Sequence, residues 1–176
     1  MTPRRLGSRT SIPREVFLSH SDRNRAFAAR LAGVLARHGV PVWYSRRSLL
    51  GAQQWHDEIG RALRRCDWFI VVLSPHSVRS DWVKRELVFA LSHAQYRDRI
   101  VPVIHKACDH EALSWTLGGF QMIDFSDDFD AGSRQLLRAW GLGYSPADHV
   151  ASKGGSAGGR AAPVREGVTK SERKPG

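Results

Sequence analysis

With 176 residues, 41% of them hydrophobic, the chain is long enough for one domain with a substantial core, and no apolar run approaches the ~20 residues of a membrane-spanning helix. Its formal net charge of +10 sits mostly at the ends: residues 1–14 hold four arginines and no acid, residues 151–176 hold six basic and two acidic residues, and the stretch between holds seventeen basic and fifteen acidic. A basic excess confined to the tails, with no aromatic-interleaved basic motif inside, argues against specific nucleic-acid recognition.

In chain order, residues 1–14 read as a disordered basic arm. Glu15-Val16-Phe17-Leu18-Ser19 is a short apolar strand leading into His20-Ser21-Asp22. Phe27, Leu31, Val34 and Leu35 recur at helical spacing, with Ser21 or Asp22 as the cap and Gly39 as the stop. Val40 to Tyr44 reads as a second strand with Pro41 at its beginning. A polar loop from Ser45 to Gln54, containing Arg46, Arg47 and Gly51, precedes a second helix striped by Trp55, Ile59, Ala62 and Leu63.

Trp68-Phe69-Ile70-Val71-Val72-Leu73 is a continuous apolar run, as expected of a strand buried on both faces. After Ser74 to Arg79, Ser80 caps a third helix, with Asp81 at its positive end and Val83, Leu87, Ala90, Leu91 and Ala94 at helical spacing. Ile100 to Ile104 is a fourth strand, whose internal Pro102 points to a sheet edge or a strand end. His105 to Phe120 is irregular. Gln121 to Phe125 reads as a last strand, and Leu136, Leu137 and Trp140 mark a final helix. Residues 146–176 are rich in Gly, Ser and Lys and too poor in large apolar groups to offset chain entropy, so they read as a disordered tail. The folded domain is thus expected over 15–145.

Strands alternating with helices imply a central parallel sheet of about five strands with helices on both faces, a three-layer α/β fold. Ligands in such sheets bind beyond the carboxyl ends of the strands, which brings Ser19 to Asp22, the Ser45 to Gln54 loop and the Ser74 to Glu86 segment to one rim. Glu86 stands out there. Its neighbours three and four residues away are Trp82, Val83, Phe89 and Ala90, so it has no ion partner on its own helix. Such a carboxylate either reaches past its neighbours into water or faces a cleft.

The enzymes that share this architecture fail on their signatures. No G-x-G-x-x-G follows the first strand and no Walker loop is present. The third strand ends in Leu73-Ser74-Pro75, without the aspartate of a phosphoryl-accepting receiver, and there is no G-x-S-x-G nucleophile elbow. His105, Cys108 and His110 are tightly spaced and lack a clear fourth zinc ligand, so no metal site is expected. The two cysteines make no disulfide framework and suit a reducing cytoplasm. No apolar segment of a secretory leader follows the first arginines.

Val16-Phe17-Leu18-Ser19-His20-Ser21, the Gly51 loop with Trp55, C-D-W-F-I-V-V-L-S-P from Cys66, S-D-W-V-K-R-E-L from Ser80 and R-I-V-P-V from Arg99 resemble the successive boxes of a Toll/interleukin-1 receptor (TIR) domain of bacterial type, over about Glu15 to Leu142. The resemblance implies a flavodoxin-like fold. It also implies that NAD is a substrate, cleaved between nicotinamide and ribose to give nicotinamide and ADP-ribose or a cyclic ADP-ribose, with no cofactor. The family's catalytic glutamate lies in a W-x-x-x-E pattern after the third strand, met here by Trp82 and Glu86.

By the same resemblance Trp82 packs on the ribose or nicotinamide, Ser19, His20 and Ser21 contact that end of the substrate, and Arg46 and Arg47 face the pyrophosphate. Many members carry an acid where this chain has Arg46-Arg47, in a loop that mediates contacts between domains. A cytoplasmic protein of bacterial antiphage defence follows, active on self-association with other TIR domains or with a separately encoded partner. A non-catalytic assembly module, or an effector that binds other TIR domains, is the competing reading, and Glu86 is the feature that discriminates.

Overall fold

The computed structural model describes residues 11–44, 52–146 and 164–166, with the side chains of 52–55 and 164–166 outside the description. Strands β1 (Val16–Ser19), β2 (Val42–Tyr44), β3 (Trp68–Leu73), β4 (Ile100–Ile104) and β5 (Ile123–Asp124) alternate with helices α1 (Arg25–Arg37), α2 (Ala52–Arg65), α3 (Asp81–Ser92) and α4 (Phe129–Ala139). All the strand pairs are parallel. A sixth short strand, β6 (Val164–Glu166), extends the sheet beside β2, so the order is β5-β4-β3-β1-β2-β6. The five-stranded expectation thus gains one strand, drawn from the stretch read as a tail; the rest of that stretch beyond residue 146 lies outside the described residues.

Successive strand residues point to opposite faces, and the two cores sort accordingly. Val16, Leu18, Val42, Tyr44, Trp68, Ile70 and Val72 meet α1 and α4 on one side. Phe17, Trp43, Phe69, Val71 and Leu73 meet α2 and α3 on the other. Phe17 stacks between Trp43 and Phe69, at centroid distances of 4.8 and 5.5 Å. Every residue of β3 is buried, which is why it reads as an unbroken apolar run.

Helix ends follow local chemistry. Ser21 accepts a hydrogen bond from the Arg23 amide and opens a 3-10 turn, Asp22–Asn24, that runs into α1. Gly39, at φ +79°, closes α1 in the left-handed conformation that glycine adopts without a Cβ clash. The Ser80 hydroxyl accepts from the Val83 amide at the start of α3. That helix ends at Ser92, and Ala94, expected within its stripe, is exposed in a following 3-10 turn.

Pro102 departs from expectation, for β4 lies between β3 and β5. The Arg99 carbonyl and the His105 amide both bond to β3, and the Ile104 carbonyl accepts from Phe125 beyond β5. Backbone groups alternate sides along a strand, so the missing N–H of Pro102 faces β5. β5 begins pairing only opposite Val103, so no ladder bond is lost there.

Candidate active site

Order reversal places the site. β1 leads through α1 to β2 on one flank, and the chain then crosses back through α2 on the opposite face to β3 on the other flank of β1. The loops leaving β1 and β3 therefore part to opposite faces, which opens a crevice at their carboxyl ends.

Ser19 ends β1. It lies two residues past Phe17 and so shares its face, the one covered by α3. On α3 the buried residues are Val83, Glu86, Leu87 and Ala90, a single stripe at helical spacing. Glu86 therefore belongs to the core-facing stripe and points toward β1. The Ser19 hydroxyl donates to Glu86 Oε2 at 2.6 Å, with Ser19 1% and Glu86 7% exposed. Oε1 has no hydrogen-bond partner among the described residues.

Burial pushes the Glu86 carboxyl up to about 7, and the Ser19 hydrogen bond works against that rise by favouring the ionised form. Sparse solvation of the charged form outweighs one donor.

Trp82, half-buried, stands one turn before Glu86 on the same side of α3. The His56 ring from α2 tilts against it at 4.7 Å, and the Arg85 guanidinium lies 5.7 Å from its ring. His20 follows Ser19 and is half-buried. Its Nδ1 sits 3.3 Å from the Leu18 carbonyl, which can only accept, so Nδ1 carries the proton and Nε2 presents a lone pair. Burial holds its pKa below the usual histidine value, in favour of that neutral form. In that form His20 offers an acceptor at Nε2. Ser21 is buried and its oxygen is engaged by the Arg23 amide, which is a capping role. Arg46 and Arg47 lie outside the described residues.

Three further polar residues lie in the turns that leave β1 and β3, and sequence reading passed over the network they form. Asn24, Ser74 and Ser77 are at most 4% exposed. Asn24 Oδ1 accepts from the Ser74 hydroxyl at 2.7 Å and from the Ser77 hydroxyl at 3.3 Å. Small polar residues after a strand read as turn formers, and only three of them converging across 50 positions mark a network.

A cavity of about 600 Å³ opens elsewhere on the rim, lined by Phe27, Arg30, His105, Lys106, Phe125 and Asp127 among others. Two carboxylates in its wall have structural duties, since Asp128 caps α4 and Asp130 accepts from the Tyr144 hydroxyl. His105 stacks on Phe27 at 4.2 Å on the α1 side, whereas Cys108 packs on the α2 and α3 side, so the sheet separates two of the three residues considered for zinc. Glu86, by contrast, is a desolvated carboxyl at the switch point of the sheet, without a capping or ion-pairing duty among the described residues.

A parallel sheet covered by helices on both faces, with its switch point between β1 and β3, defines the flavodoxin-like class of α/β protein. Residues 16–137 match the TIR domain model, and the chain belongs to that family. It is 34% identical over 107 residues to the NAD(+) hydrolase PdTIR of Paracoccus denitrificans, an alignment covering 59% of this chain and 36% of that protein. It is 30% identical to the NAD(+) hydrolase TcpC of Escherichia coli O6:H1, over 58% of this chain and 34% of that one. A 2' cyclic ADP-D-ribose synthase of Bacteroides thetaiotaomicron, BtTIR, is 26% identical over 58% of this chain and 36% of that one. The chain spans about a third of the length of these curated relatives. Among solved structures, the TIR domain of the Toll-related receptor TRR-2 of Hydra magnipapillata superposes with a TM-score of 0.58 at 21% identity, covering 70% of this chain and 94% of that one.

Proposed function

We propose that this protein cleaves NAD at the bond between nicotinamide and ribose, with Glu86 as the catalytic carboxylate. The observation that carries the reading is the buried Ser19–Glu86 pair at the switch point of a TIR domain. Its similarity to two proteins named NAD(+) hydrolases supports it.

Nicotinamide leaves from a cationic ring and departs neutral, so the leaving group needs no general acid, unlike the oxygen of an ordinary glycoside. The task that remains is to stabilise a ribose of oxocarbenium character. A fixed carboxylate in a site sheltered from water does this far better than one in bulk solvent. Ser19 holds Oε2, and Oε1 takes a ribose hydroxyl. Trp82 walls the ribose side and excludes water. His20, neutral, accepts from the nicotinamide carboxamide through Nε2. Arg46 and Arg47 meet the pyrophosphate, and other TIR domains are the partners on which activity depends.

The test is nicotinamide release by the wild type and by Glu86→Gln, followed against protein concentration. The variant loses turnover by a factor on the order of 10² or more, and the wild type turns over faster per molecule as concentration rises. Chromatography of the second product separates linear from cyclic ADP-ribose. Because the carboxylate is the active form, kcat/KM rises with pH up to about 7 and then levels. The cationic nicotinamide ring of bound substrate, beside the carboxyl, favours the ionised acid, so the kcat profile lies at lower pH. Equal turnover by Glu86→Gln would remove the catalytic assignment.

A further inference from the structure

Ser74 and Ser77 are 0% exposed and Asn24 is 4% exposed. Their hydrogen bonds interlock. The Ser74 oxygen accepts from the amides of His76 and Ser77, at 3.2 and 3.1 Å, and folds the chain after β3 into a tight turn. Its proton goes to Asn24 Oδ1, and Ser77 completes the triangle, 3.2 Å from Ser74 and 3.3 Å from Asn24. A buried polar network of this kind tolerates one arrangement, because each displaced member leaves a desolvated group unpaired.

The two segments it joins are those that carry the reactive pair. Asn24 lies five residues after Ser19, in the turn that leaves β1, and Ser77 lies nine before Glu86, in the turn that enters α3. The Ser19–Glu86 contact spans the same gap, and its short 2.6 Å donor–acceptor distance lengthens, and the bond weakens, as the two segments part.

We propose that Asn24, with Ser74 and Ser77, is a positioning residue: the three clamp the turn after β1 to the turn after β3 and thereby set the separation of Ser19 and Glu86. The residues touch no substrate and act through the carboxyl. This rests on Glu86 as the functional acid, and its test has a readout that needs no turnover.

That readout is the titration of the Glu86 carboxyl by carbon NMR in glutamate-labelled protein, assigned by its loss in Glu86→Gln. Asn24→Ala loosens the Ser19 donor, so the carboxyl titrates at higher pH than in the wild type, by half a pH unit or more. In parallel kcat falls about tenfold, as for one lost oriented hydrogen bond, with KM within twofold. Ser77→Ala removes one hydroxyl at little change of volume, shifts the titration the same way by less, and carries the test if Asn24→Ala does not fold. Ser19→Ala is the second arm: in that background Asn24→Ala moves neither the titration nor kcat further. An unmoved titration in both clamp variants, or the same shift with and without Ser19, overturns the proposal. Absence of NAD cleavage by the wild type, with these titration shifts present, overturns only the substrate assignment.

Discussion

A carboxyl inside a helix's core stripe is a liability that the fold tolerates at one position. Glu86 takes a place that Val83, Leu87 and Ala90 fill with apolar groups, and burial raises its pKa from 4.5 to about 7. The sign of the linkage follows. Below about 4.5 the acid is protonated in folded and unfolded chains alike, and the folded state bears no penalty. As pH rises through 7 the unfolded chain has ionised freely while the folded chain must ionise a desolvated group, and stability is lost. The shift corresponds to a penalty of about 3 kcal/mol above pH 7. Glu86→Gln keeps the shape and an acceptor for Ser19 without the charge. It should therefore be more stable than the wild type at pH 8, by up to about 3 kcal/mol, and indistinguishable near pH 4, as measured by urea denaturation at the two pH values. A variant that gains stability while losing NAD cleavage is the signature of an acid kept for chemistry. Equal stability at pH 8 would show that the carboxyl is solvated.

Among the elements, α4 shows packing overriding propensity. Gly132 is buried in its first half, and a Cβ there would lie 2.7 Å from the Asp124 carbonyl and from the Phe125 ring. Intrinsic helix propensity favours Ala over Gly by about 1 kcal/mol. The clash opposes it, and a carbonyl in β5 cannot swing aside as a flexible side chain would. Overpacking a site of this kind costs about 1–3 kcal/mol or more. Gly132→Ala should thus destabilise by about 1–2 kcal/mol net, read as a lower urea midpoint. A higher midpoint would mean that α4 is free to back away from β5. Since α4 sits on the face opposite Glu86, the variant's kcat/KM should stay near that of the wild type.

At the scale of the whole molecule, the chain's entry is fastened to the start of β3, far from the crevice. Asp67, 6% exposed, accepts from the amides of Arg14 and Glu15 at 3.0 and 3.1 Å. Glu15 in turn pairs with Arg65 at the end of α2, Nε to Oε2 2.5 Å. The ion pairs to Asp67 come from side chains with substantial exposure and add little. The two backbone donors decide the matter. Asp67→Ala leaves both unpaired and should cost about 2–4 kcal/mol, whereas Asp67→Asn keeps an acceptor oxygen and should cost clearly less, by thermal or urea unfolding. Equal losses would assign the effect to charge. The anchor fixes β1 against β3 at their amino ends and the Asn24 network joins them at their carboxyl ends, so the pair of strands bearing Ser19 and the lead into Glu86 is held at both extremes.

The sequence by itself determined the order and kind of the elements from β1 to α4, because apolar period, turn residues and capping chemistry are local: β3, β4, the cap at Ser80 and the stop at Gly39 are all legible within a few residues, whereas β6 reads as tail. It also singled out Glu86, since an acid with no ion partner at helical spacing is visible in one dimension, and the stripe through Val83, Glu86, Leu87 and Ala90 was there to be read. Tertiary structure alone decided what Glu86 meets. Strand order puts β1 next to β3, and the parity of Ser19 along β1 points its hydroxyl at α3. The network of Asn24, Ser74 and Ser77 left no mark in the sequence because Asn24 lies some fifty residues from the two serines. Pro102 shows the same division: its lack of an N–H is a local fact, but which neighbour would have needed that N–H depends on where β5 begins, and pairing between strands is set by the packing of the whole sheet.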